Sequence, residues 1–449
     1  MKMNTTRRDF LSIIAMAACV VAYAGGLKFD ITSDRANATY MLGEQAVFTV
    51  KALDASGAPA KSGRVKWNLN NFGAKVFASG TEDLSANGGT LTVKGAQTEP
   101  GFLRLDVTEV GKKPSSAKWG VAFEPKKIVP GTPYPDDFMD FWRAAIAKYD
   151  REVTEPIRVT EVKRTAASVM YELRIPSTQG RYVWGYFSEP VDKTKGPFPL
   201  QVGVPGAGPS SWGCAMDGNS MHLKVNVHYY DPTVLKGEPH KSAKCLAVQR
   251  EEDQAYAKKY PVKTVRYTQC GIAASREDYF YYGVILAANR AVDWAASRPG
   301  VDPKRVSYRG GSQGGGFGLI LTGLNKRIRR ASIAVPAITD LLGDRVSSRE
   351  AGWPRLIDAQ LPENREAAMK NAPYFCGVNF ARQIDVPVGF VVGFIDIVCP
   401  PHAGYAAYNV CPSKKKAIFD SIGWGHDASK GKGGPALSKW ISEQDKAAD

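Results

Sequence analysis

Hydrophobic and polar positions alternate along the first part of the chain, from Gly25 to about Phe123. Short alternating runs such as AVFTVKAL, GGTLTVKG and GFLRLDVTEV are separated by turn signals such as DASGAPAKSG. A period of two places one face of a strand against a core and the other in solvent. The spacing predicts an all-β domain over residues 25–123, an immunoglobulin-like sandwich with Trp67 as its core tryptophan.

A different pattern follows the proline-rich linker EPKKIVPGTPYP at residues 124–135. Helix-like segments begin near Asp136 with DDFMDFWRAAIAKYD and recur in YYGVILAANRAVDWAAS. They alternate with apolar runs such as ASIAVPA and VPVGFVVGF. Strands that alternate with helices are typical of a parallel sheet that helices cover on both faces. Residues 124–449 are therefore predicted to form an α/β domain.

The first 24 residues have the pattern of an export signal. Arg7 and Arg8 precede an apolar run of fifteen residues, Phe10 to Ala24, which is short for a membrane span of about 20 residues. The stretch TTRRDFL resembles a twin-arginine signal, with cleavage after Ala24. An uncleaved anchor and lipid attachment at Cys19 are alternatives. All three interpretations place the rest of the chain outside the cytoplasm.

Charge and cysteine content exclude some classes of partner. The net charge of +15 is spread over short basic groups such as KRIRR and KKK, so we expect no nucleic-acid partner and at most attraction to acidic glycans. Six cysteines follow the leader, an even number that permits disulfides in an oxidising compartment without fixing their pairing. No CxxC pair occurs, and the sequence indicates no metal and no cofactor.

The stretch YRGGSQGGGF, residues 308–317, surrounds one serine with five glycines. It lies between the strand-like RVSYR and the apolar run FGLILTGL, and it matches G-x-S-x-G. In this context the motif indicates a nucleophile elbow, where the serine adopts a strained backbone conformation and flanking side chains have no room. Ser312 is therefore the predicted nucleophile.

An acid and then a base are expected after Ser312 in the chain. Asp396 ends the strand-like VPVGFVVGFID, and His426 lies thirty residues later in GWGHDAS, beyond a further strand. His402 lies only six residues after Asp396, which leaves no room for that strand. Asp396 and His426 are thus the predicted acid and base. Two other carboxylates fit less well, because one begins its strand and one is expected in solvent: Asp385 and Asp427.

Two backbone N–H groups are needed to stabilise the oxyanion of a tetrahedral intermediate. Gln313, directly after the nucleophile, is predicted to supply one of them. The loop PLQVGVPGAGPSSW follows an early strand, and Ala207 in that loop is the candidate for the other.

From about Pro135 to His426 the sequence resembles the acetyl xylan esterase and cephalosporin-C deacetylase family of α/β-hydrolases. The resemblance is carried by PDDFMDFWR, RGGSQGGG and IDIVCPPHAGYAAYN. It implies an α/β-hydrolase fold and the removal of acetyl groups from sugar hydroxyls. It also implies ring-like oligomers, no metal, the triad Ser312, Asp396 and His426, and Gln313 as an oxyanion donor.

The chain departs from this family in two places. Family members usually carry a tyrosine where this chain has Ala207, and the D-x-R-G-x-G stretch is replaced by a long segment at about residues 217–276. A segment of that length is usually functional, so we interpret it as a lid in which Cys245 and Cys270 could pair. Three histidines in or near it are expected at the surface: His222, His228 and His240.

The sequence thus predicts an exported two-domain serine esterase that hydrolyses acetyl esters on polysaccharides or oligosaccharides through an acyl-enzyme, with a possible homo-oligomer. Two alternatives stay open. One is a serine esterase or peptidase for larger acyl groups, and the other is a carbohydrate-binding cell-surface protein with an idle hydrolase domain.

Overall fold

The computed structural model describes residues 26–446, apart from 112–113, 209–212, 240–241 and 347–348. The predicted export signal lies outside these residues. Within them, two all-β sheets precede a larger mixed α/β unit. None of the helices described here is both long and apolar enough to cross a membrane.

Two sheets are built from the strands before residue 124. The strands are β1 (Lys28–Ser33), β2 (Thr39–Tyr40), β3 (Ala46–Leu53), β4 (Arg64–Asn70), β5 (Val76–Asp83), β6 (Thr90–Gly95), β7 (Gly101–Glu109) and β8 (Ser116–Phe123). One sheet has the order β1-β3-β6 and the other β2-β8-β7-β4-β5. Buried and exposed positions alternate along β3, as the sequence pattern predicts. The more specific immunoglobulin-like classification stays a prediction.

Trp67 does not fill the centre of this region. It is only partly buried, and its indole covers Gly80 on the neighbouring strand β5. The prediction of a buried core tryptophan is therefore wrong. The aromatic side chains that pack inward include Phe48 and Phe102 instead.

The N-terminal sheets contact the α/β unit. The Phe102 ring meets the Phe394 ring edge-on at 5.1 Å between centroids. Phe72 makes a similar contact with His402 at 5.8 Å. Phe394 lies two residues before Asp396, so these strands support the chain segment that carries the predicted acid.

The predicted linker at residues 124–135 is fixed against the α/β unit. Backbone N–H groups of Gly131 and Thr132 donate to Asp340 Oδ1 at 2.8 and 3.0 Å. Asn409 Nδ2 donates to the carbonyl oxygens of Pro125 and Ile128 at 3.0 and 2.8 Å. The segment is therefore a bound strap and not a loose connection.

The α/β unit is built on one nine-stranded sheet of order β17-β16-β15-β14-β12-β13-β11-β10-β9. Its strands are β9 (Arg158–Arg164), β10 (Ser168–Pro176), β11 (Tyr182–Pro190), β12 (Phe198–Gly203), β13 (Met221–Val225), β14 (Val301–Gly311), β15 (Arg330–Ala334), β16 (Val388–Gly393) and β17 (Lys416–Ser421). Strands β12 to β17 are parallel, as predicted. Strands β9 to β11 add an antiparallel edge, because the short turns between them permit only that pairing.

Eight helices in the described residues accompany this sheet. They are α1 (Phe138–Glu152), α2 (Ala243–Lys259), α3 (Phe280–Ala296), α4 (Gln313–Leu324), α5 (Arg365–Asn371), α6 (Gly377–Ala381), α7 (Pro401–Val410) and α8 (Gly433–Lys446). Helix α4 buries nearly all of its residues and α3 most of them, as expected for helices enclosed by other elements.

The segment at residues 217–276 is more ordered than a lid loop. It contains the interior sheet strand β13 and the helix α2. All six cysteines after the leader are free thiols. Cys245 and Cys270 donate instead to the carbonyl oxygens of Pro239 and Arg266, so no bond joins the two cysteines in this structure.

Two of the histidines expected at the surface are not surface residues. His228 is completely buried and contacts the Glu252 carboxylate through Nδ1. His222 is largely buried, and its Nε2 lies 2.7 Å from Asp217 Oδ2. Both predictions are wrong because each ring has a carboxylate partner that its own sequence context does not indicate. His240 lies outside the described residues.

Candidate active site

Ser312 occupies a sharp turn between β14 and α4. Its backbone has φ 57° and ψ −124°, a conformation that is strained for a residue with a side chain. A Cβ atom on Gly310 would lie 2.4 Å from the Gly314 carbonyl oxygen, and one on Gly314 would lie 2.0 Å from that of Val204. The two outer glycines of G-x-S-x-G are therefore required by direct backbone contacts.

The three residues of the predicted triad form one hydrogen-bonded chain. His426 Nε2 lies 2.9 Å from Ser312 Oγ, and His426 Nδ1 lies 2.9 Å from Asp396 Oδ2. Asp396 is fully buried. An imidazole held in this way by a carboxylate has its other nitrogen free to accept the serine proton.

The fixed position of Asp396 depends on its own loop. Asp396 Oδ1 accepts hydrogen bonds from the N–H groups of Val398 at 2.8 Å and Cys399 at 2.9 Å. The Arg355 guanidinium donates to the carbonyl oxygens of Val398 at 2.5 Å and Ile397 at 2.9 Å. Sequence reasoning missed Arg355, because it lies in a segment without any motif.

The residues set aside as acid or base lie elsewhere. His402 is buried, and its Nε2 lies 2.8 Å from the Glu350 carbonyl oxygen. Burial, with the nearby charge of Arg349, lowers the pKa of His402 to about 3, so this ring is neutral. Asp385 and Asp427 each form an exposed ion pair with a lysine. Among the described residues, no group of three His, Cys, Asp or Glu side chains is placed to hold a metal ion.

Cys399 lies beside the predicted nucleophile. Burial raises the pKa of its thiol, and the negative charge of Asp396 adds to that effect, whereas a hydrogen bond with Ser312 opposes it. A thiol with a raised pKa is a poor nucleophile. Cys399 therefore forms part of the wall around Ser312 and does not compete with it.

The Gln313 side chain joins the serine turn to the loop that precedes Ala207. It is fully buried, and its Oε1 accepts hydrogen bonds from the hydroxyls of Tyr267 at 2.8 Å and Tyr281 at 2.7 Å. Its Nε2 donates to the carbonyl oxygens at positions 205 and 206, at 3.4 Å each. The two predicted oxyanion donors thus belong to segments that one side chain connects.

Tyr267 is a second residue that sequence reasoning missed. Its hydroxyl donates to Gln313. Tyr267 lines the same cleft as Ala207 and Gly208, and the Gly208 backbone acts to lower the pKa of Tyr267 against the effect of burial. Burial raises the pKa of both Tyr267 and Tyr281, so both hydroxyls stay protonated and able to donate. Tyr267 comes from the 217–276 segment, which therefore takes part in shaping the site.

The mixed sheet and the serine on a strained strand-to-helix turn, followed in the chain by an acid and a histidine, define an α/β-hydrolase. The family Acetyl xylan esterase (AXE1) matches residues 124–429. The chain belongs to this family, which confirms the resemblance seen in the sequence. Its members are carboxylic ester hydrolases, so the chain is an acetyl xylan esterase-like carbohydrate esterase.

Individual relatives agree with this assignment. The chain is 28% identical over 349 residues to the acetyl esterase Axe7A of Xylanibacter ruminicola, covering 75% of this chain and 73% of that protein. The fold is similar to that of the acetyl xylan esterase from Paenibacillus sp. R4, with a TM-score of 0.56 and 23% identity over 72% of this chain and 98% of the other. The fold is also similar to that of acetyl xylan esterase 1 from Thermoanaerobacterium sp. JW/SL YS485. The TM-score is 0.53, with 20% identity, and the match covers 71% of this chain and 97% of the other.

Proposed function

We propose that the protein is an exported serine esterase that removes acetyl groups from the hydroxyls of acetylated xylan or its oligosaccharides. One observation carries the proposal. The chain of hydrogen bonds from Asp396 through His426 to Ser312 ends on a strained turn, where the serine hydroxyl has a base within 2.9 Å. This geometry lies in the part of the chain that matches the esterase family.

Acylation begins when Ser312 Oγ attacks the carbonyl carbon of the acetyl ester while His426 Nε2 takes its proton. Asp396 stabilises the imidazolium that forms. Backbone N–H groups of Gln313 and Ala207 donate to the developing oxyanion, as Gln313 begins α4, where such groups lack helical partners. The tetrahedral intermediate collapses when His426 gives the proton to the departing sugar oxygen, which leaves the sugar hydroxyl and acetyl-Ser312.

Deacylation repeats these steps with water. His426 Nε2 removes a proton from the water, whose oxygen attacks the acetyl carbonyl carbon. The proton then returns to Ser312 Oγ as the ester bond breaks, and acetate leaves. The arrangement of Ser312 and His426 supports both acylation and deacylation, because the same imidazole nitrogen faces the serine oxygen in both half-reactions.

Export belongs to the proposal because a polymeric xylan meets the enzyme only outside the cytoplasm. The leader pattern around Arg7 and Arg8 supports it. In bacteria that produce the full chain, fractionation is expected to find activity outside the cytoplasm. Replacing both arginines by lysine is expected to retain the activity inside. Equal external activity for both versions would contradict twin-arginine export.

The direct test of the function is acetate release from acetylated xylan, with the Ser312→Ala protein as control. Loss of a linked triad residue is expected to reduce the rate on the order of 10⁶-fold. Acetate release that vanishes in the variant supports the proposal. Serine-dependent cleavage of a longer synthetic ester without acetate release would assign a larger acyl group. Turnover of neither ester would leave the domain as an idle hydrolase.

A further inference from the structure

A cleft lies beside the loop that carries the second predicted oxyanion donor. Its volume is about 690 Å³, within the range of about 300–1,000 Å³ that is typical of ligand sites. It is lined by Ala207 and Gly208 and by residues of helix α2. No triad residue lines this cleft or another cavity, of about 500 Å³ near Tyr149, but of the two the cleft is the one lined by the loop residues Ala207 and Gly208.

One of the side chains that line the cleft also contacts the residue after the serine. Tyr267 lines it, and the hydroxyl of Tyr267 donates to Gln313, the residue after Ser312. Ala207, the proposed second oxyanion donor, lines the cleft, so under the proposed function the sugar units next to the acetylated one would lie beside it. Helix α2 belongs to the 217–276 segment, so that segment lines part of the cleft.

The chemistry of the cleft favours a sugar that carries negative charge. Arg250 and Arg266 line it, both side chains are exposed, and neither forms an ion pair with any residue that the structure describes. The carboxylate among the lining residues, Asp253, is buried and already accepts the Tyr267 N–H at 2.7 Å. The planar guanidinium presents paired N–H donors that match a carboxylate group.

The carboxylate of Glu252 on α2 is turned away from these two charges. Glu252 points to the buried His228 and to the Tyr229 N–H. Trp353 adds a partly buried indole to the cleft wall, against which the apolar face of a sugar ring can lie. The net charge of +15 attracts anionic polymers over a longer range.

We propose that this cleft binds a uronic acid unit of the glycan chain, whose carboxylate contacts Arg250 and Arg266 while a neighbouring sugar presents its acetyl ester to Ser312. The inference rests on the proposed function and specifies its substrate: an acidic, acetylated polysaccharide is preferred over a neutral one.

The test compares two substrates made from one xylan. One keeps its uronic acids, the other has them reduced to neutral sugars, and both are acetylated afterwards. The Arg250→Gln/Arg266→Gln protein is expected to show a KM about tenfold higher on the acidic substrate and changed by less than about twofold on the neutral one. The matched control is Arg143→Gln/Arg151→Gln, which removes the same charge from exposed sites on α1.

Binding of the acidic sugar can be measured without turnover. A xylo-oligosaccharide with one uronic acid is titrated calorimetrically into the Ser312→Ala protein, with and without the two cleft substitutions. About tenfold weaker binding after the substitutions supports the proposal. Equal binding, or an equal loss in the α1 control, overturns it. If the wild-type protein releases no acetate from either xylan, the proposed function fails first and the inference fails with it.

Discussion

The hydroxyl of Tyr267 is predicted to position the oxyanion loop, and Tyr281 provides a matched comparison. Both hydroxyls donate to Gln313 Oε1 at nearly the same distance, 2.8 and 2.7 Å. Of the two, Tyr267 also lies against the oxyanion loop, because it lines the same cleft as Ala207 and Gly208 and the Gly208 backbone lowers its pKa. Replacing either tyrosine by phenylalanine removes one donor to Gln313, but only Tyr267→Phe also removes a hydroxyl beside the oxyanion loop.

The expected magnitudes follow from these contacts. Each single variant leaves Gln313 Oε1 with one donor, so each should lose about 1 kcal/mol of unfolding free energy. The double variant leaves a buried carbonyl without a donor, and its loss should exceed the sum of the two by about 1 kcal/mol or more. Tyr267→Phe should also lower kcat by about tenfold, a fraction of the 10²–10³-fold that loss of a whole oxyanion donor costs.

The assays are urea unfolding and steady-state hydrolysis of phenyl acetate. A positioning role predicts that kcat falls with KM nearly unchanged, because the contact acts on the transition state. Tyr281→Phe should show the stability loss with a smaller change in kcat. Equal kcat for the two single variants would contradict this expectation, since it would show that the Tyr267 hydroxyl does not position the loop.

The remaining predictions concern four other side chains. Asp396→Asn should lower kcat about 10⁴-fold on phenyl acetate while circular dichroism stays unchanged; a small loss would remove Asp396 from the triad. Arg355→Gln should lower kcat with little change in KM, because the acid loop loses two charge-assisted hydrogen bonds. Phe102→Ala should cost about 3–5 kcal/mol in urea unfolding, and a cost near zero would contradict the packing on Phe394. The pKa of His402 is about 3 in the fold, against 6.5 for a free imidazole, so between these pH values the unfolded chain binds more protons. Stability should therefore fall as the pH drops from 6.5 to 3, and His402→Gln should remove up to about 1.4 kcal/mol per pH unit of that slope.

The parts of the site that could be predicted from sequence are those with a local signal. Glycines are needed around Ser312 because of contacts within a few residues, such as that between Gly310 and Gly314. The turn can therefore be recognised in the sequence as a motif. Asp396 and His426 follow from the order of elements, because parallel strands end at one edge of the sheet.

The parts that could not be predicted depend on partners far along the chain. Tyr267 acts through a hydrogen bond to Gln313, 46 positions later in the chain. No local pattern distinguishes Tyr267 from a surface tyrosine. Arg355 contacts carbonyl groups more than 40 positions away. The sequence favours a surface position for His228 because polar residues usually lie there. In the structure its ring is buried and contacts the Glu252 carboxylate on α2.

Under the proposed function, Ser312 is the nucleophile and His426 activates it. The most direct measurement is labelling of the protein with a radioactive organophosphonate ester, followed by peptide mapping and an assay of acetate release from acetylated xylan. We expect one label per chain on Ser312, loss of acetate release in proportion to labelling, and no labelling of the His426→Ala protein. A label on another residue, or undiminished acetate release by the fully labelled protein, would contradict it.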